Sequence, residues 1–424
     1  MTSNRSRPFA GFLASFAVAV LVVLAWQVVD SRSASAEVFD IVENDAIDFD
    51  FSTRRGLRFR VREPELRFRI GGRLHTDFSF AREDRTGLQG FDADLRRARL
   101  YLDGRILGDF RFKIDREFAP DRRGWRNVFG EFRISKQVSV RAGNFVAPFG
   151  LENMTASNHS TFMERAASGA LAPSFQTGIL LKTRGRFGEK NSLHRWTASV
   201  AGTMQPLGQA SDDRHGTEHY GVVARLTYAP LAKKRSVLHF GVAAEYRDVR
   251  GGKPFRVSSR PEAGLLPTFL RTGNLSDVDS TTSVGLEGLF LRGPFTLQSE
   301  YFHMFVQRSA SRPDPSFQGG YVQVSWVLTG ERRRYSRSSG LLGGVRPRSP
   351  WGAVELGVRY STLDLNDETV NGGSLRNWTV GLNWYVRENV RLTANYVSVD
   401  ARLRSAPRRP DSPHVGQIRF QVFF

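Results

Sequence analysis

The chain contains no cysteine and very little lysine. The absence of cysteine excludes disulfides and thiolate metal sites. Only seven of its 61 basic residues are lysines, so the formal net charge of +19 at pH 7 is carried mainly by arginine. The eight histidines are scattered, and no glycine-rich phosphate loop precedes a predicted helix. We therefore expect neither a metal ion nor another cofactor.

Long apolar runs are also missing, except at the N-terminus. The mean hydropathy of -0.35 is too polar for a bundle of membrane helices. The one long apolar stretch, residues 9–29, follows Arg5 and Arg7 and precedes an A-x-A cleavage motif at residues 34–36. Residues 1–36 are thus predicted to be a cleaved signal peptide, with an uncleaved anchor as the alternative. An exported membrane protein without further spanning helices must be a closed β-barrel.

Apolar and polar residues alternate with period two through most of the remaining chain. Between residues 66 and 80, Leu66, Phe68, Ile70 and Leu74 share one face, whereas Arg67, Arg69, Arg73 and His75 share the other. This alternation is typical of a strand with lipid on one side and water on the other. Sixteen such segments begin near residues 66, 94, 109, 127, 137, 177, 193, 219, 237, 279, 295, 317, 352, 374, 390 and 415. We predict an all-β fold, a transmembrane antiparallel barrel of about 16 strands over residues 64–424.

The lengths of the connections support the same fold. Even-numbered connections are short, as at Arg292-Gly293-Pro294, whereas odd-numbered ones are longer, the fifth spanning about 146–176. Short periplasmic turns and long external loops are the rule in outer-membrane barrels. The twelfth connection, about 331–351, is too long for a turn, which indicates either an undetected strand pair or a real insertion.

Both ends of the mature chain have a distinct character. Residues 37–63 are first acidic and then rich in arginine, and we expect an N-terminal periplasmic extension there. The last residue, Phe424, ends the chain inside an apolar strand, as is common in outer-membrane barrels. We expect it to be read by the barrel-assembly machinery, and the outer-membrane lipid to surround the barrel.

The arginine excess admits several functions. A nucleic-acid binder would cluster this charge, whereas here arginine alternates with apolar residues, so no nucleic-acid partner is expected. Guanidinium groups on the water-filled face suit anions, because the planar fork matches oxyanion geometry. An outer-membrane enzyme would need a catalytic set. His159 and Ser160 are adjacent, but no acidic partner is signalled, and we expect no enzymatic activity.

Several strings resemble the phosphate-selective porin O/P family, and together they cover roughly residues 64–424. They are Leu66 to Leu74, ending in Gly71-Gly72-Arg73-Leu74; Arg96-Arg97-Ala98-Arg99-Leu100 with Gly104 and Gly108-Asp109-Phe110; Gly143-Asn144-Phe145, Phe149-Gly150-Leu151-Glu152, Thr155, Ser157 and Phe162-Met163-Glu164-Arg165; and Leu328-Thr329-Gly330-Glu331, Asn377-Trp378, Asn383-Trp384-Tyr385 and Ala394-Asn395-Tyr396-Val397.

This resemblance implies a trimer of sixteen-stranded barrels, in which the third loop narrows the pore and an arginine ladder leads to a central anion site. Carried over position by position, that site would include Arg73, Arg96, Arg97, Arg165 and Ser157.

Two positions depart from the pattern of the phosphate-specific members. Asn153 stands where those members carry a lysine, and Gly130 falls about where they carry an acidic residue. Both differences put phosphate specificity in doubt, while an anion preference remains expected.

Strand parity adds its own expectations. Arg69 and Arg73 share the water-filled face of the first strand, and Arg97 and Arg99 that of the second. Arg96 would then point outward unless a bulge turns it inward. For Arg165 the alternative to anion binding is a salt bridge with Glu152 or Glu164 that anchors the loop.

The sequence therefore predicts an outer-membrane porin that favours anions and takes up small anions passively, with phosphate or polyphosphate as candidates. The alternative is a general diffusion porin whose arginines reflect composition alone.

Overall fold

The structure is a computed structural model that describes most of the chain. It covers residues 47–52, 56–61, 65–82, 89–189, 192–208, 220–250, 254–264, 266–309, 312–367, 369–403 and 406–424. The predicted signal peptide, residues 1–36, lies outside the described residues. No helix in the described ranges has the length and apolar character needed to cross a bilayer.

Sixteen antiparallel strands form the wall of a closed barrel within the described ranges. The ring closes because the last strand pairs with the first, from His414 opposite Arg82 to Phe423 opposite Arg73. The strands are β1 Leu66–Arg82, β2 Gln89–Ile106, β3 Phe110–Glu117, β4 Gly124–Arg133, β5 Val138–Val146, β6 Phe175–Arg186, β7 Arg195–Met204, β8 Gly221–Ala232, β9 Ser236–Asp248, β10 Val278–Arg292, β11 Phe295–Arg308, β12 Ser316–Val327, β13 Ala353–Asp367, β14 Val370–Tyr385, β15 Val390–Leu403 and β16 His414–Phe423.

The barrel prediction is confirmed, both in class and in the number of strands. All sixteen predicted segments correspond to strands of the wall; the largest error is at β2, which was predicted from residue 94 and begins at Gln89. Period-two alternation finds these strands because each one has lipid-compatible residues on one side only.

The two faces of the wall have the reverse of the usual polarity of a soluble protein. In β14, Trp378, Val380 and Leu382 are 57%, 44% and 46% exposed on the outside, whereas Asn377 and Thr379 are fully buried inside. An apolar exterior around a polar interior is stable when the surroundings are hydrocarbon. Tyrosines occur on both faces: Tyr396 is half exposed, but Tyr321 and Tyr385 are buried among lumen side chains.

The barrel closes over a pair of glycines in β1. The backbones of Gly72 and Phe424 exchange hydrogen bonds of 3.1 and 3.0 Å. The Tyr101 hydroxyl also donates to the Phe424 carbonyl at 2.8 Å, with its ring across Gly71. A Cβ at residue 71 would lie 2.4 Å from that ring and 2.5 Å from the carbonyl oxygen. Glycine is therefore required where the terminal residue and the tyrosine meet.

Gly71→Ala should destabilise the barrel by about 1–3 kcal/mol, because the added methyl group must displace the tyrosine ring or the closing strand. Gly288→Ala in β10 is the matched control, since a Cβ there has no neighbour within 4 Å. Both variants are unfolded with urea in detergent, and the loss of the compact form on electrophoresis gives the urea midpoint of each. Equal midpoints would contradict this account of closure.

Two loops fold into the barrel rather than away from it. The third loop, residues 147–174, contains the helix α1 Leu151–Met154 and the 3-10 turns Ser157–His159 and Ala167–Leu171. The fifth loop, residues 249–277, contains the short strands Ser258–Ser259 and Leu270–Arg271, and its Glu262 carboxylate accepts a hydrogen bond of 2.9 Å from the backbone of Ala167. Outside these, a 3-10 turn at Pro120–Arg122 lies in the second loop, and Ala406–Asp411 extends the edge of β15.

The long twelfth connection is a real insertion and not an additional strand pair of the wall. β12 pairs directly with β13, and residues between them form a hairpin of Arg333–Ser336 and Leu341–Val345. This insert hairpin lies in the lumen. The fully buried Arg333 forms an ion pair of 2.7 Å with Glu355 of β13, and the Tyr335 hydroxyl contacts His239 of β9 at 2.8 Å.

The N-terminal extension adds two strands to the sheet. Ile47–Ser52 pairs with Gly56–Val61, which in turn pairs with the first five residues of β1. The phenyl rings of Phe49, Phe59 and Phe68 form a continuous row across these strands, with centroids 4.7 and 4.9 Å apart. The hairpin thus continues the sheet at the short-turn end of the barrel.

Candidate functional site

The contact between β1 and the third loop forms the centre of the candidate site. The Arg73 guanidinium donates to the Ser157 hydroxyl at 3.1 Å. Two residues along the strand, the imidazole of the buried His75 contacts the Asn158 side chain at 3.1 Å. Two adjacent residues of the loop thus dock on two successive inward positions of β1, which brings two of the predicted site residues together.

Arg97 lies beside this contact. In the register of β1 and β2 it is opposite His75, and Arg99 is opposite Arg73. Directly opposed residues of antiparallel strands have Cβ atoms about 5 Å apart. Within the described residues, Arg97 has no ion-pair partner, and its buried Nε atom has no hydrogen-bond partner. Its charge is therefore not neutralised by a direct carboxylate contact.

Arg96 points into the lumen because of a bulge. The pairing shifts between His75 and Thr76, so that Arg97 faces His75 while Leu95 faces Thr76, and Arg96 is the extra residue. The outward orientation expected from simple alternation is therefore wrong, for the reason that a bulge re-aims one side chain. Its guanidinium binds Glu164 of the third loop in bidentate fashion, at 2.7 and 2.6 Å.

Glu164 is shared between two arginines from the strands on either side of β1. Its Oε1 also accepts from Arg419 of β16 at 2.9 Å. Burial by itself would raise the pKa of Glu164, but the charge of Arg96, its hydrogen bond and the charge of Arg419 outweigh burial and hold that pKa below its ordinary value. The carboxylate thus stays ionised and offsets part of the positive charge.

Arg165 does not form the loop-anchoring salt bridge that was considered as its alternative role. Its guanidinium donates to the backbone carbonyls of Glu152 at 3.2 Å and of Asn153 at 2.8 Å. The Glu152 carboxylate instead pairs with Arg359 at 3.2 Å. Arg165 is consequently held by neutral groups, beside a cavity of about 410 Å³ that Arg96, Glu152 and Glu164 also line.

The remaining two predicted residues are placed differently. Arg99 faces inward but is buried, with its Nε 2.6 Å from the Glu117 carboxylate. Arg69 lies nearer the short-turn end, and its guanidinium is 5.1 Å from the centroid of the Tyr101 ring. Three of the predicted arginines at the third loop, Arg73, Arg97 and Arg165, have no carboxylate partner among the described residues. Arg96 and Arg99 are paired with carboxylates, and Arg69 is remote from the loop.

Four arginines that contact the third loop were not among the site residues predicted from the sequence. Arg333, Arg359, Arg391 and Arg419 are among the largest fully buried side chains, and they contact the third loop from the insert hairpin, β13, β15 and β16. The inward parity of Arg359, Arg391 and Arg419 in their strands was a usable signal. Parity could not reveal that they meet a loop some two hundred residues earlier in the chain.

The two departures from the phosphate-specific pattern have structural consequences. The Asn153 side chain donates to the Pro173 carbonyl at 2.5 Å and so closes the third loop on itself. At Gly130 a Cβ would meet the ring of Phe110, an exposed residue of the outer face. A side chain at residue 130 would therefore point to lipid, and it cannot supply an acidic group to the lumen.

A second basic region lies toward the short-turn end. A cavity of about 340 Å³ is lined by arginines and lysines of several strands and turns, with only two carboxylates among its lining residues. Its basic residues are Arg105, Arg111, Arg133, Lys136, Arg141, Lys182, Arg184 and Arg225. Positive charge thus borders the lumen on both sides of the loop contact. No cluster of three or more metal-ligating side chains occurs in the described ranges.

Comparison with known proteins now adds the family. The sequence pattern of phosphate-selective porins O and P matches residues 68–424. The chain belongs to this porin family. It is 27% identical over 404 residues to Porin O of Pseudomonas aeruginosa, covering 86% of this chain and 90% of that protein. It is also 27% identical over 323 residues to an uncharacterized protein of Caulobacter vibrioides, covering 73% and 63%.

Solved structures agree on the fold of this porin. The barrel is similar to a loop L8 deletion mutant of OmpT of Vibrio cholerae, with a TM-score of 0.54, 13% identity and coverage of 85% of this chain and 99% of that one. It is also similar to an anion-selective porin from Comamonas acidovorans, with a TM-score of 0.51, 13% identity and coverage of 85% and 100%. Family and fold together indicate a channel of the outer membrane rather than an enzyme.

Proposed function

We propose that this porin is a water-filled channel that favours anions and takes them up passively across the outer membrane. The observation that carries the proposal is the group of three guanidiniums, of Arg73, Arg97 and Arg165, that lie at the third loop without a carboxylate partner among the described residues. Fixed positive charge in a narrow passage with low-dielectric walls concentrates anions and repels cations.

The ligand best suited to this group is a small oxyanion, such as inorganic phosphate. Guanidiniums and the Ser157 hydroxyl are hydrogen-bond donors that replace part of an oxyanion's hydration shell. Residue 153 is an asparagine whose side chain donates to the Pro173 carbonyl, so no lysine charge is present at that position. We therefore propose a preference for oxyanions with weaker discrimination for phosphate, and polyphosphate as a longer candidate substrate.

A second candidate function is general diffusion without useful selectivity. The observation in its favour is that many lumen arginines are neutralised by carboxylates of the same chain. Arg99 pairs with Glu117 at 2.6 Å and Arg225 with Glu287 at 2.5 Å. If these pairs dominate the potential of the lumen, the three unpaired arginines would have little effect.

Arg97→Gln decides between the two functions. Loss of about 1 kcal/mol of anion stabilisation corresponds to roughly a fivefold lower anion-to-cation permeability ratio. The measurement is the reversal potential of the channel in a planar bilayer under a potassium chloride gradient. Arg67→Gln is the control, because Arg67 is exposed at the rim and paired with Glu65 at 2.6 Å. An unchanged reversal potential in Arg97→Gln would favour general diffusion.

Assembly and export are further parts of the proposal. Homotrimerisation rests on membership of the porin family and is tested by cross-linking the protein in native membranes. Cleavage after residue 36 is tested by N-terminal sequencing of the mature porin. A role of Phe424 in recognition by the assembly machinery is supported by its position directly after β16, where its backbone bonds to Gly72 of β1, and deletion of Phe424 should lower the amount of folded porin in the outer membrane.

A further inference from the structure

Six consecutive or nearly consecutive carbonyl groups of the third loop point at side-chain donors from the barrel wall and the insert hairpin. They belong to residues 158–161, 163 and 164, a stretch with little regular structure beyond one 3-10 turn. The donors are Gln421 to Asn158 at 3.3 Å, Arg333 to His159 at 2.6 Å, Arg391 to Ser160 at 2.7 Å, Asn383 to Thr161 at 2.9 Å, Arg419 to Met163 at 2.5 Å and Arg359 to Glu164 at 3.1 Å.

These six side chains, here called the loop clamp, are oriented by their own partners. Arg333 pairs with Glu355 at 2.7 Å, and Arg419 with Asp77 at 2.6 Å. Arg391, by contrast, has no carboxylate partner among the described residues, and its second donor contact is to the Gln421 side-chain oxygen at 3.0 Å. The donors come from the insert hairpin and from four consecutive strands of the wall, β13, β14, β15 and β16. The clamp therefore holds the loop against one side of the lumen.

Irregular backbone in a water-filled lumen needs such partners. A carbonyl without a backbone donor must find a side chain or water, and a charged donor makes the stronger hydrogen bond. On β1, which pairs directly with β16, the same loop contacts Arg73 through Ser157 and His75 through Asn158. The clamp therefore fixes the loop backbone directly beside the contact with Arg73 and sets the distance between the loop and the anion site.

We propose that the loop clamp holds the third loop in one position while ions pass, and that Arg391 serves as a positioning residue rather than as an anion ligand. The clamp keeps the width of the constriction constant against the applied voltage. This inference rests on the proposed channel function, but it does not depend on the anion preference. It assigns Arg391 and the other clamp arginines to the loop carbonyls, and it leaves the charges of Arg73 and Arg97, which bind no loop carbonyl among the described residues, available to anions.

Single-channel recording of Arg391→Gln, Arg391→Lys and Arg97→Gln in planar bilayers tests the proposal. Arg391→Gln should close roughly fivefold more often at a given voltage, since one charged hydrogen bond to the loop is lost, while the reversal potential changes little. Arg391→Lys keeps a donor and should restore part of the steady current. Arg97→Gln should do the opposite, with a shifted reversal potential and a steady current.

Asn383→Ala provides a clamp variant without a change in charge, in case Arg391→Gln does not fold. It removes the donor to the Thr161 carbonyl and should likewise increase closures. The proposal is overturned if Asn383→Ala conducts as steadily as the unmodified porin, or if Arg391→Gln shifts the reversal potential as far as Arg97→Gln with a steady current. An unchanged reversal potential in Arg97→Gln would instead refute the proposed anion preference and leave the clamp standing.

Discussion

Replacing Arg73, Arg97 and Arg165 together by glutamine is expected to abolish the anion preference of the porin. Among the predicted site residues at the third loop, these three have guanidiniums whose charge no described carboxylate neutralises. The other two predicted arginines at this contact, Arg96 and Arg99, are already paired with the carboxylates of Glu164 and Glu117 at 2.6 Å. Without the three unpaired charges, the constriction would be lined by neutralised pairs, which concentrate neither anions nor cations.

The magnitude of the reversal potential under a salt gradient measures this change. A triple variant of Arg67, Arg250 and Arg312 to glutamine is the matched control. It removes the same number of charges, but each of these arginines is more than half exposed and paired with a neighbouring carboxylate. Should the two triple variants show the same selectivity, the loop contact would not be the anion site. Glutamine keeps the side-chain volume similar, so a change in the width of the pore would not explain the loss of anion preference.

Replacing Glu355 by glutamine should have the largest effect on stability, a loss of about 3–5 kcal/mol. Glu355 and Arg333 are both fully buried, and the carboxylate also accepts from the Tyr385 hydroxyl at 2.6 Å. Removal of one partner leaves an uncompensated buried charge, which costs far more than the loss of an exposed pair. The insert hairpin would then lose its anchor to β13.

Asp109→Asn is the control for this effect. Asp109 and Arg133 lie 2.6 Å apart but are about half exposed, so their pair should contribute at most about 1 kcal/mol. Unfolding of both variants in urea and detergent gives the free-energy difference. Equal stability of the two variants would mean that water reaches Arg333 and solvates it.

Much of the architecture could be predicted from the sequence because lipid imposes a local rule. Every second residue of a strand must tolerate hydrocarbon, and this requirement is visible within a few neighbouring residues. The bulge at Arg96 marks the limit of that rule. One additional residue in β2 changes which arginine faces water, and only the pairing with β1 shows where the additional residue lies.

The length of a connection is also visible in the sequence, but its destination is not. The segment at 331–351 was too long for a turn, and its path into the lumen became clear only from the contacts of Arg333 and Tyr335 with distant strands. A hairpin of this kind is held by side chains from several strands. No local pattern encodes such contacts, because their sequence separation is large.

The sequence by itself determined the fold class, the strand count, the inward face of most strands and the excess of arginine. These properties depend on composition and on alternation between neighbours, which require no knowledge of distant contacts. The tertiary structure decided which arginines have no carboxylate partner in the pore, which are neutralised by a carboxylate and which bind the third loop. That division depends on carboxylates and carbonyls brought within hydrogen-bond distance across the barrel, and a guanidinium on the inward face has the same sequence signature in all three roles.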